Sequence, residues 1–446
     1  MGNTKTVISS IVLALAIISN VSAQDTTGLA SNSKWTLQAC VDYAKKNNIQ
    51  ITSLRLSSQS AQQDLLLSKA ARLPDFTGDA GQSLTHAKVA DPVTGLLKGQ
   101  SSLSGSYSLN SSVTLYNGSY INNDITQKGL LLQSANLNIL QTENDITLQI
   151  TQAFLNILLA KESIVYLQDL VNTSAAQVKQ EQQFYDAGSV ARKDLVSLQA
   201  QLANDQYSLV LEQNTLRQNN LTLKQLLQLP VDTTFEVNAP DSIAAERIFP
   251  ALDEAENEAL QTRPEIQNGI LGVHIAELDL EKARAQLRPA LTGNGTVGTS
   301  NSTQFGSYFR QLDDNFFQQV GLTLAIPIFT KRVGKTAVEK SKIEIAQNEY
   351  NLQNTKMVLS QAVEQAYLSV QNAESQYDAA VSALTSAKES YRITIEELKL
   401  GAVDAVDLLV QKNLYIQAVQ SYIQAKYNTV LYIKIYEYYM GNPVTL

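Results

Sequence analysis

The side chains that most often carry catalysis or bind metals are scarce in this chain. Its 446 residues include two histidines, His86 and His274, and one cysteine, Cys40. A zinc site needs three or four histidine, cysteine or carboxylate ligands, and a serine nucleophile needs a histidine base that a third group orients. We find no such set at these positions. The sequence therefore predicts no catalytic residue, no metal site, no cofactor and no intrachain disulfide.

Two glycine-containing segments match phosphate-binding motifs only in part. Residues 293–298 read Gly-x-Gly-x-x-Gly, but they follow a predicted helix and lie in a strand-like stretch, which reverses the dinucleotide-binding context. Gly334, Lys335 and Thr336 end like a phosphate loop, but Phe329 stands where that loop requires its first glycine. We therefore interpret neither segment as a nucleotide site.

Two aspartates have the same spacing from a preceding glycine and lie 213 positions apart in the chain. Gly188 is followed six residues later by Asp194, and Gly401 is followed in the same way by Asp407. If several copies of Asp407 lined a narrow opening, their carboxylates would favour cations. In the first turn of a helix the same carboxylate would instead face the helix dipole. The spacing leaves both interpretations open for Asp407 and favours the helix-terminal one for Asp404.

These acidic residues belong to a duplication of nearly the whole chain. An apolar stripe over residues 139–171 returns over residues 352–384 at a constant offset of 213, and the offset near the start of each half is 215. A duplication this regular indicates one structural unit used twice. We place repeat one at residues 36–230 and repeat two at residues 251–440, with a polar connector between them.

The first residues have the pattern of a signal peptide. Lys5 supplies a positive charge, residues 7–18 are apolar, and Val21-Ser22-Ala23 provides a small-residue cleavage site. We therefore assign residues 1–23 to a signal peptide and residues 24–446 to the exported protein. The formal net charge of −8 disfavours nucleic acid as a partner.

Each half contains one very long predicted helix. Residues 130–187 and 336–400 contain no proline or glycine, and about sixty residues make a rod of roughly 90–100 Å. Apolar residues recur every three or four positions in a narrow stripe, which is typical of a coiled-coil seam. Gly188 and Gly401 then end the rods and permit a tight reversal. The sequence thus predicts an antiparallel helical hairpin in each half.

Strand-like segments precede each long helix. The predicted strands are 75–85, 103–116, 290–299 and 320–328, and the predicted exposed loops are 87–100 and 300–315. The second and fourth strands alternate apolar residues with small or polar ones, as in a membrane barrel strand. A half-buried strand of a soluble sheet has the same alternation. The predicted lipid-facing side chains are Leu109, Val113, Leu115, Leu322, Leu324 and Ile326.

Four strands cannot close a membrane barrel, because small bacterial barrels have at least about eight strands. An open sheet edge in lipid would leave backbone groups without hydrogen bonds. If these strands span a membrane, several chains must therefore share one barrel. The long helices agree with this interpretation, because a narrow apolar stripe requires neighbouring helices.

Taken together, these features resemble the TolC-like outer membrane efflux proteins. The resemblance extends from Trp35 to about Gly441 and rests on the repeated order of helix, proline, two strands, long helix, glycine turn and return helix. The turn sequences at 188–195 and 401–408 carry it as well. Residues 326–329, Ile-Pro-Ile-Phe, look like the strand-to-helix junction of that family.

The resemblance implies a mixed α and β membrane protein. The family fold is a homotrimer whose chains share a twelve-stranded outer-membrane β-barrel, continued by a periplasmic α-helical barrel. The implied function is a passive exit channel of a tripartite efflux or type I secretion system, which docks to a periplasmic adaptor and an inner-membrane transporter. In this family the hairpin turns form the periplasmic tip and gate. The implied tip residues are Gly188, Arg192, Lys193, Asp194, Gly401, Asp404 and Asp407.

The chain departs from the family pattern at the second turn. Many members have an arginine two residues after the second glycine and a further aspartate nearby, where this chain has Val403 and Val410. We hypothesise that Arg192 or Lys193 supplies the missing cation. The alternative function is an exported helical scaffold or adhesin, which would have no need of an outward apolar strand face. The sequence does not distinguish a drug, a metal or a polypeptide as the cargo.

Overall fold

The computed structural model describes residues 35–90, 93–230, 235–238, 249–303, 306–307 and 309–442. The predicted signal peptide lies outside these residues, and so does most of the connector between the halves. The fold is mixed α and β and mostly helical.

The two halves have the same order of elements, apart from one short helix. The first half contains α1 (Leu37–Asn47), α2 (Ile49–Ala70), β1 (Asp75–Ala90), β2 (Leu97–Asn117), α3 (Tyr120–Asp186) and α4 (Arg192–Leu226). The second half contains α5 (Leu252–Thr262), α6 (Pro264–Ala285), β3 (Ala290–Ser302), α7 (Gln311–Asp314), β4 (Phe317–Ala325), α8 (Val333–Lys399) and α9 (Ala405–Tyr439).

Local signals explain where the helices begin and end. The side chain of Asn48 accepts hydrogen bonds from the backbone N–H groups of Gln50 and Ile51, so it caps the start of α2. Pro264 occupies the first turn of α6, where its missing N–H costs nothing. Helices α3 and α8 have 67 residues each, which makes each of them about 100 Å long.

The four strands form one antiparallel sheet in the order β1-β2-β3-β4. The predicted loop at residues 87–100 is wrong, because residues 87–90 of β1 pair with residues 97–100 of β2. β4 starts three residues earlier than predicted and ends before Pro327. A proline has no N–H to donate, and the partner strand β3 begins at Ala290, opposite Ala325.

The β1–β2 hairpin extends past the rest of the sheet. The last pair between β2 and β3 joins Ser104 to Ser302, whereas β1 and β2 stay paired as far as Ala90 and Leu97. Seven further residues in each strand therefore project beyond β3. At about 3.3 Å per residue this projection measures roughly 20 Å along the strands.

The apolar core lies midway along the long helices, where α1 and α5 pack beside them. Ile146, Ile150, Ala153 and Ile157 follow the helical period on α3 and are buried. One eighteen-residue window of α3 is apolar enough to span a membrane by composition, and half of that window is buried within the protein. Core side chains that are at most 1% exposed include Cys40, Ile51, Ile150, Phe154, Leu223, Ile266, Val363, Val370 and Tyr436.

Candidate functional site

The turn between α3 and α4 is built around Gly188. Its φ is +74°, and its N–H donates to the Tyr185 carbonyl at 2.9 Å, while the Ser189 N–H donates to the Phe184 carbonyl at 2.9 Å. This is the usual hydrogen-bond pattern of a glycine helix terminus. No neighbouring atom crowds the glycine, so the left-handed backbone is the feature that favours it.

The turn between α8 and α9 has the same geometry. Gly401 has a φ of +72°, its N–H donates to the Leu398 carbonyl at 3.0 Å, and the Ala402 N–H donates to the Glu397 carbonyl at 2.9 Å. The predicted reversals at both glycines are therefore confirmed. The two hairpins end in turns of one design.

Asp404 is the cap of α9. Its Oδ1 accepts hydrogen bonds from the backbone N–H groups of Val406 at 2.9 Å and Asp407 at 3.0 Å. Asp404 thus occupies a helix-terminal position, as its spacing favours, and its part in the tip stays a prediction. At the other turn, Ala191 occupies the N-cap position of α4 and provides no side-chain hydrogen bond. The cap is therefore one chemical difference between the two turns.

Asp194 and Asp407 both lie in the first turn of their return helices, where a carboxylate faces the positive end of the helix dipole. Asp407 is exposed, and Asp194 is half-buried. Burial, followed by the charge of Asp194, raises the pKa of Glu181 on the neighbouring helix α3. The exposed position of Asp407 at a helix terminus therefore fits both interpretations, a carboxylate that lines an opening and a charge that stabilises the helix end.

Arg192 and Lys193 are exposed at the start of α4. Within the described residues, neither side chain pairs with an acidic group of the second hairpin. Val403 is half-buried in the second turn, and Val410 is 51% exposed. Within the described part of the chain, Arg192 and Lys193 therefore do not lock the second turn, and the lock hypothesis stays a prediction.

One face of the sheet is apolar and open to the surroundings. Leu322 is 70% exposed, Leu324 58% and Leu109 53%. Leu109 stands opposite Val297, and Leu324 stands opposite Leu291, so the apolar side chains of adjacent strands share this face.

Two of the predicted lipid-facing residues lie outside regular pairing. A bulge in β2 leaves Leu115 without a partner, because Tyr116 takes the place opposite Leu291. Ile326 follows the last residue of β4. Both side chains are nevertheless exposed, at 55% and 58%, whereas Val113 is half-buried within the sheet.

The opposite face of the sheet carries a polar network. Asn110 Nδ2 donates to Asp79 Oδ2 at 2.8 Å, and Asn110 Oδ1 accepts from Thr296 Oγ1 at 3.0 Å. Asn294 Nδ2 donates to Thr323 Oγ1 at 3.1 Å. Hydrogen bonds therefore link side chains across all four strands, and one face is apolar while the other suits water.

The sheet is open at both edges. β1 pairs only with β2, and β4 pairs only with β3. The outer backbone groups of the two edge strands have no strand partner within the described chain. Such edges are a template for pairing with another chain.

Sequence reasoning missed a buried cation at the start of α6. Arg263 is 3% exposed and donates to the Tyr438 carbonyl at 3.0 Å, to the Tyr438 hydroxyl at 2.8 Å and to Glu265 Oε1 at 2.9 Å. Burial opposes its charge, but Tyr438 and Glu265 outweigh this effect and raise the pKa of Arg263. The repeat contained a signal, since Arg263 aligns with the capping residue Asn48 of the first half.

Among the described residues, no group of three metal-ligating side chains lies close enough to hold an ion. The open pockets are shallow surface features. One of about 500 Å³ lies where α2 meets the sheet, beside Pro74 and Asp124.

The chain is similar in sequence to known outer membrane proteins. The sequence profile described as "Outer membrane efflux protein" matches residues 40–228 and 256–431. The chain is 22% identical over 425 residues to the outer membrane protein TolC of Vibrio cholerae, covering 91% of this chain and 90% of that protein. It is 21% identical over 407 residues to the outer membrane efflux protein BepC of Brucella suis, covering 91% and 85%.

Solved structures show the same fold. A structure of CusC superimposes with a TM-score of 0.81 at 17% identity, covering 93% of this chain and 96% of that one. The CmeC outer membrane channel of Campylobacter jejuni superimposes with a TM-score of 0.77 at 18% identity, covering 93% and 90%.

Proposed function

Because the chain belongs to the outer membrane efflux protein family, we propose that it is the exit channel of a tripartite efflux or type I secretion system. It lies in the outer membrane with a long helical extension into the periplasm. In this proposal the chain performs no catalysis. It is a passive conduit that docks to a periplasmic adaptor and an inner-membrane transporter, and the transporter supplies the energy.

The observation that carries this proposal is the open four-stranded sheet with an exposed apolar face. In lipid the apolar face is favourable, but the unpaired edges of β1 and β4 are not. Pairing β4 of one copy with β1 of the next removes both edges. Three copies then give a closed barrel of twelve strands, which exceeds the minimum of about eight.

The long helices support a shared tube. On α8 the exposed side chains of Ile343, Tyr350 and Met357 recur every seven residues, at 67%, 72% and 53% exposure. This heptad spacing is typical of a seam that packs against a neighbouring helix. We infer that such seams join hairpins of adjacent copies into a periplasmic helical barrel.

We place the periplasmic gate and the adaptor contact at the two hairpin turns. Three exposed Asp407 carboxylates around one opening would favour cations. The proposed tip residues are Gly188, Arg192, Lys193, Asp194, Gly401, Asp404 and Asp407. We also keep the division into a signal peptide at 1–23 and repeats at 36–230 and 251–440 as part of this proposal.

Purification of the whole protein in detergent tests the proposal. We expect a mass of three chains by light scattering and discrete conductance steps after addition to a planar lipid bilayer. A water-soluble monomer without conductance would contradict the channel and favour the exported scaffold or adhesin.

A further inference from the structure

One lysine is completely enclosed between the two helical hairpins. The Nζ of Lys412, on α9, lies 2.6 Å from Ser174 Oγ, 3.3 Å from Gln177 Oε1 and 3.3 Å from Asp205 Oδ2. Ser174 Oγ also donates a hydrogen bond to Asp205. The side chains of Lys412 and Asp205 are only 1% and 4% exposed. We call these four residues the inter-hairpin cluster.

Aromatic side chains connect this cluster to the fourth helix. The Tyr391 hydroxyl, on α8, accepts a hydrogen bond from Gln177 Nε2 at 3.2 Å. The rings of Tyr391 and Tyr415 stack with their centroids 5.5 Å apart, and Tyr166 packs edge-on against Tyr415 at 6.4 Å. Helices α3, α4, α8 and α9 therefore all meet at one level.

A buried ion pair of this kind is poor evidence for added stability. Burial lowers the pKa of Lys412, and the charge and hydrogen bond of Asp205 only partly offset this effect. Replacing both members of a buried pair by apolar residues is often neutral, and the best-attested role of such pairs is to set register or act in a switch. The inter-hairpin cluster is thus suited to defining how the hairpins sit on each other.

The cluster is also the last polar link before the turns. Lys412 follows Gly401 by eleven residues, which is about 16 Å along a helix. Between the cluster and the turns, no side-chain hydrogen bond or ion pair joins the two hairpins within the described residues. Farther from the turns a link recurs, where Lys426 lies 2.9 Å from Glu162.

We propose that the inter-hairpin cluster is a pivot. It holds the two hairpins of one chain in register at its own level, so that the helix ends below it separate when the turns open. This inference rests on the proposed channel function, because only a channel needs its turns to separate.

Hydrogen exchange of the intact trimer in detergent tests the pivot directly. Peptides covering residues 178–190 and 396–408 should exchange at least about tenfold faster than peptides covering 412–419, because local opening leaves amides unprotected. Equal protection on both sides of Lys412 would overturn the proposal. This measurement needs no substitution.

A double substitution that removes the cluster should move the level at which the two hairpins separate. Lys412→Met with Asp205→Leu removes both charges together, so neither is left buried alone. We expect the boundary of fast exchange to rise towards Lys426, with a larger single-channel conductance. The matched control is Lys426→Met, which removes a half-buried ion pair between α9 and α3 farther from the turns and should leave the boundary in place.

An unmoved boundary in the double variant, or the same shift in the control, would overturn the pivot. Failure of the proposed function is a separate result. It would appear in the unmodified protein as a monomeric mass and no conductance.

Discussion

Replacing Leu322 by arginine tests which face of β4 contacts lipid. Leu322 lies in the middle of the strand and is 70% exposed. Its neighbour Thr323 lies on the opposite face, where its hydroxyl accepts a hydrogen bond from Asn294. Thr323→Arg is therefore a matched control with the same new charge, on the same strand and at nearly the same depth.

The expected cost follows from the exposure of Leu322. Complete burial of a leucine contributes about 1.5–3 kcal/mol, so lipid that covers 70% of this side chain contributes about 1–2 kcal/mol. An arginine facing lipid near the bilayer midplane costs about 2–4 kcal/mol more. Leu322→Arg should thus destabilise the inserted chain by about 3–6 kcal/mol. Thr323→Arg loses one hydrogen bond of about 1 kcal/mol.

Both variants are folded into lipid vesicles, and the free energy of folding is measured by denaturant titration. The yield of trimer in outer-membrane fractions gives a second readout. We expect Leu322→Arg to lose most of its trimer and Thr323→Arg to stay close to the original protein. Equal losses in the two variants would show that this apolar face does not meet lipid.

Three further variants test other parts of the structure. Arg263→Met should lower the free energy of unfolding by about 3–5 kcal/mol, because it removes one partner of a buried hydrogen-bonded charge pair; the surface control Arg392→Met, at an exposed ion pair, should leave it nearly unchanged. Arg192→Ala together with Lys193→Ala should raise single-channel conductance, and an unchanged conductance would end the lock hypothesis. Asp407→Asn should shift the reversal potential in a salt gradient towards lower cation preference, whereas an unaltered potential would leave Asp407 as a helix-terminal residue only.

Helix ends could be predicted because their signals are local. Pro264 begins α6, and Gly188 and Gly401 end the long helices, as their backbone preferences require. The ends of the strands could not be predicted in the same way. Ala90 is in a strand because it pairs with Leu97 of the next strand. The composition of residues 87–100 is typical of an exposed loop, so this pairing could not be predicted from it.

The buried cations were missed because their partners come from distant helices. In the sequence, Lys412 looks like any lysine on the wet face of a long helix. In the structure it meets Asp205, which is 207 residues away in the chain. Comparing the two halves gives no signal either, because Lys412 aligns with Gln199, which is also polar and is exposed.

The projecting β1–β2 hairpin would be the outermost part of the proposed channel. The long helices leave the sheet at the end where β1 begins, so in the proposed orientation the opposite end of the hairpin points away from the periplasm. The described residues at that end, which include Gly95, stand roughly 20 Å beyond the end of β3. An epitope or a fluorescent dye inserted at Gly95 should then be reachable on intact cells, and assembled molecules could be counted on living bacteria.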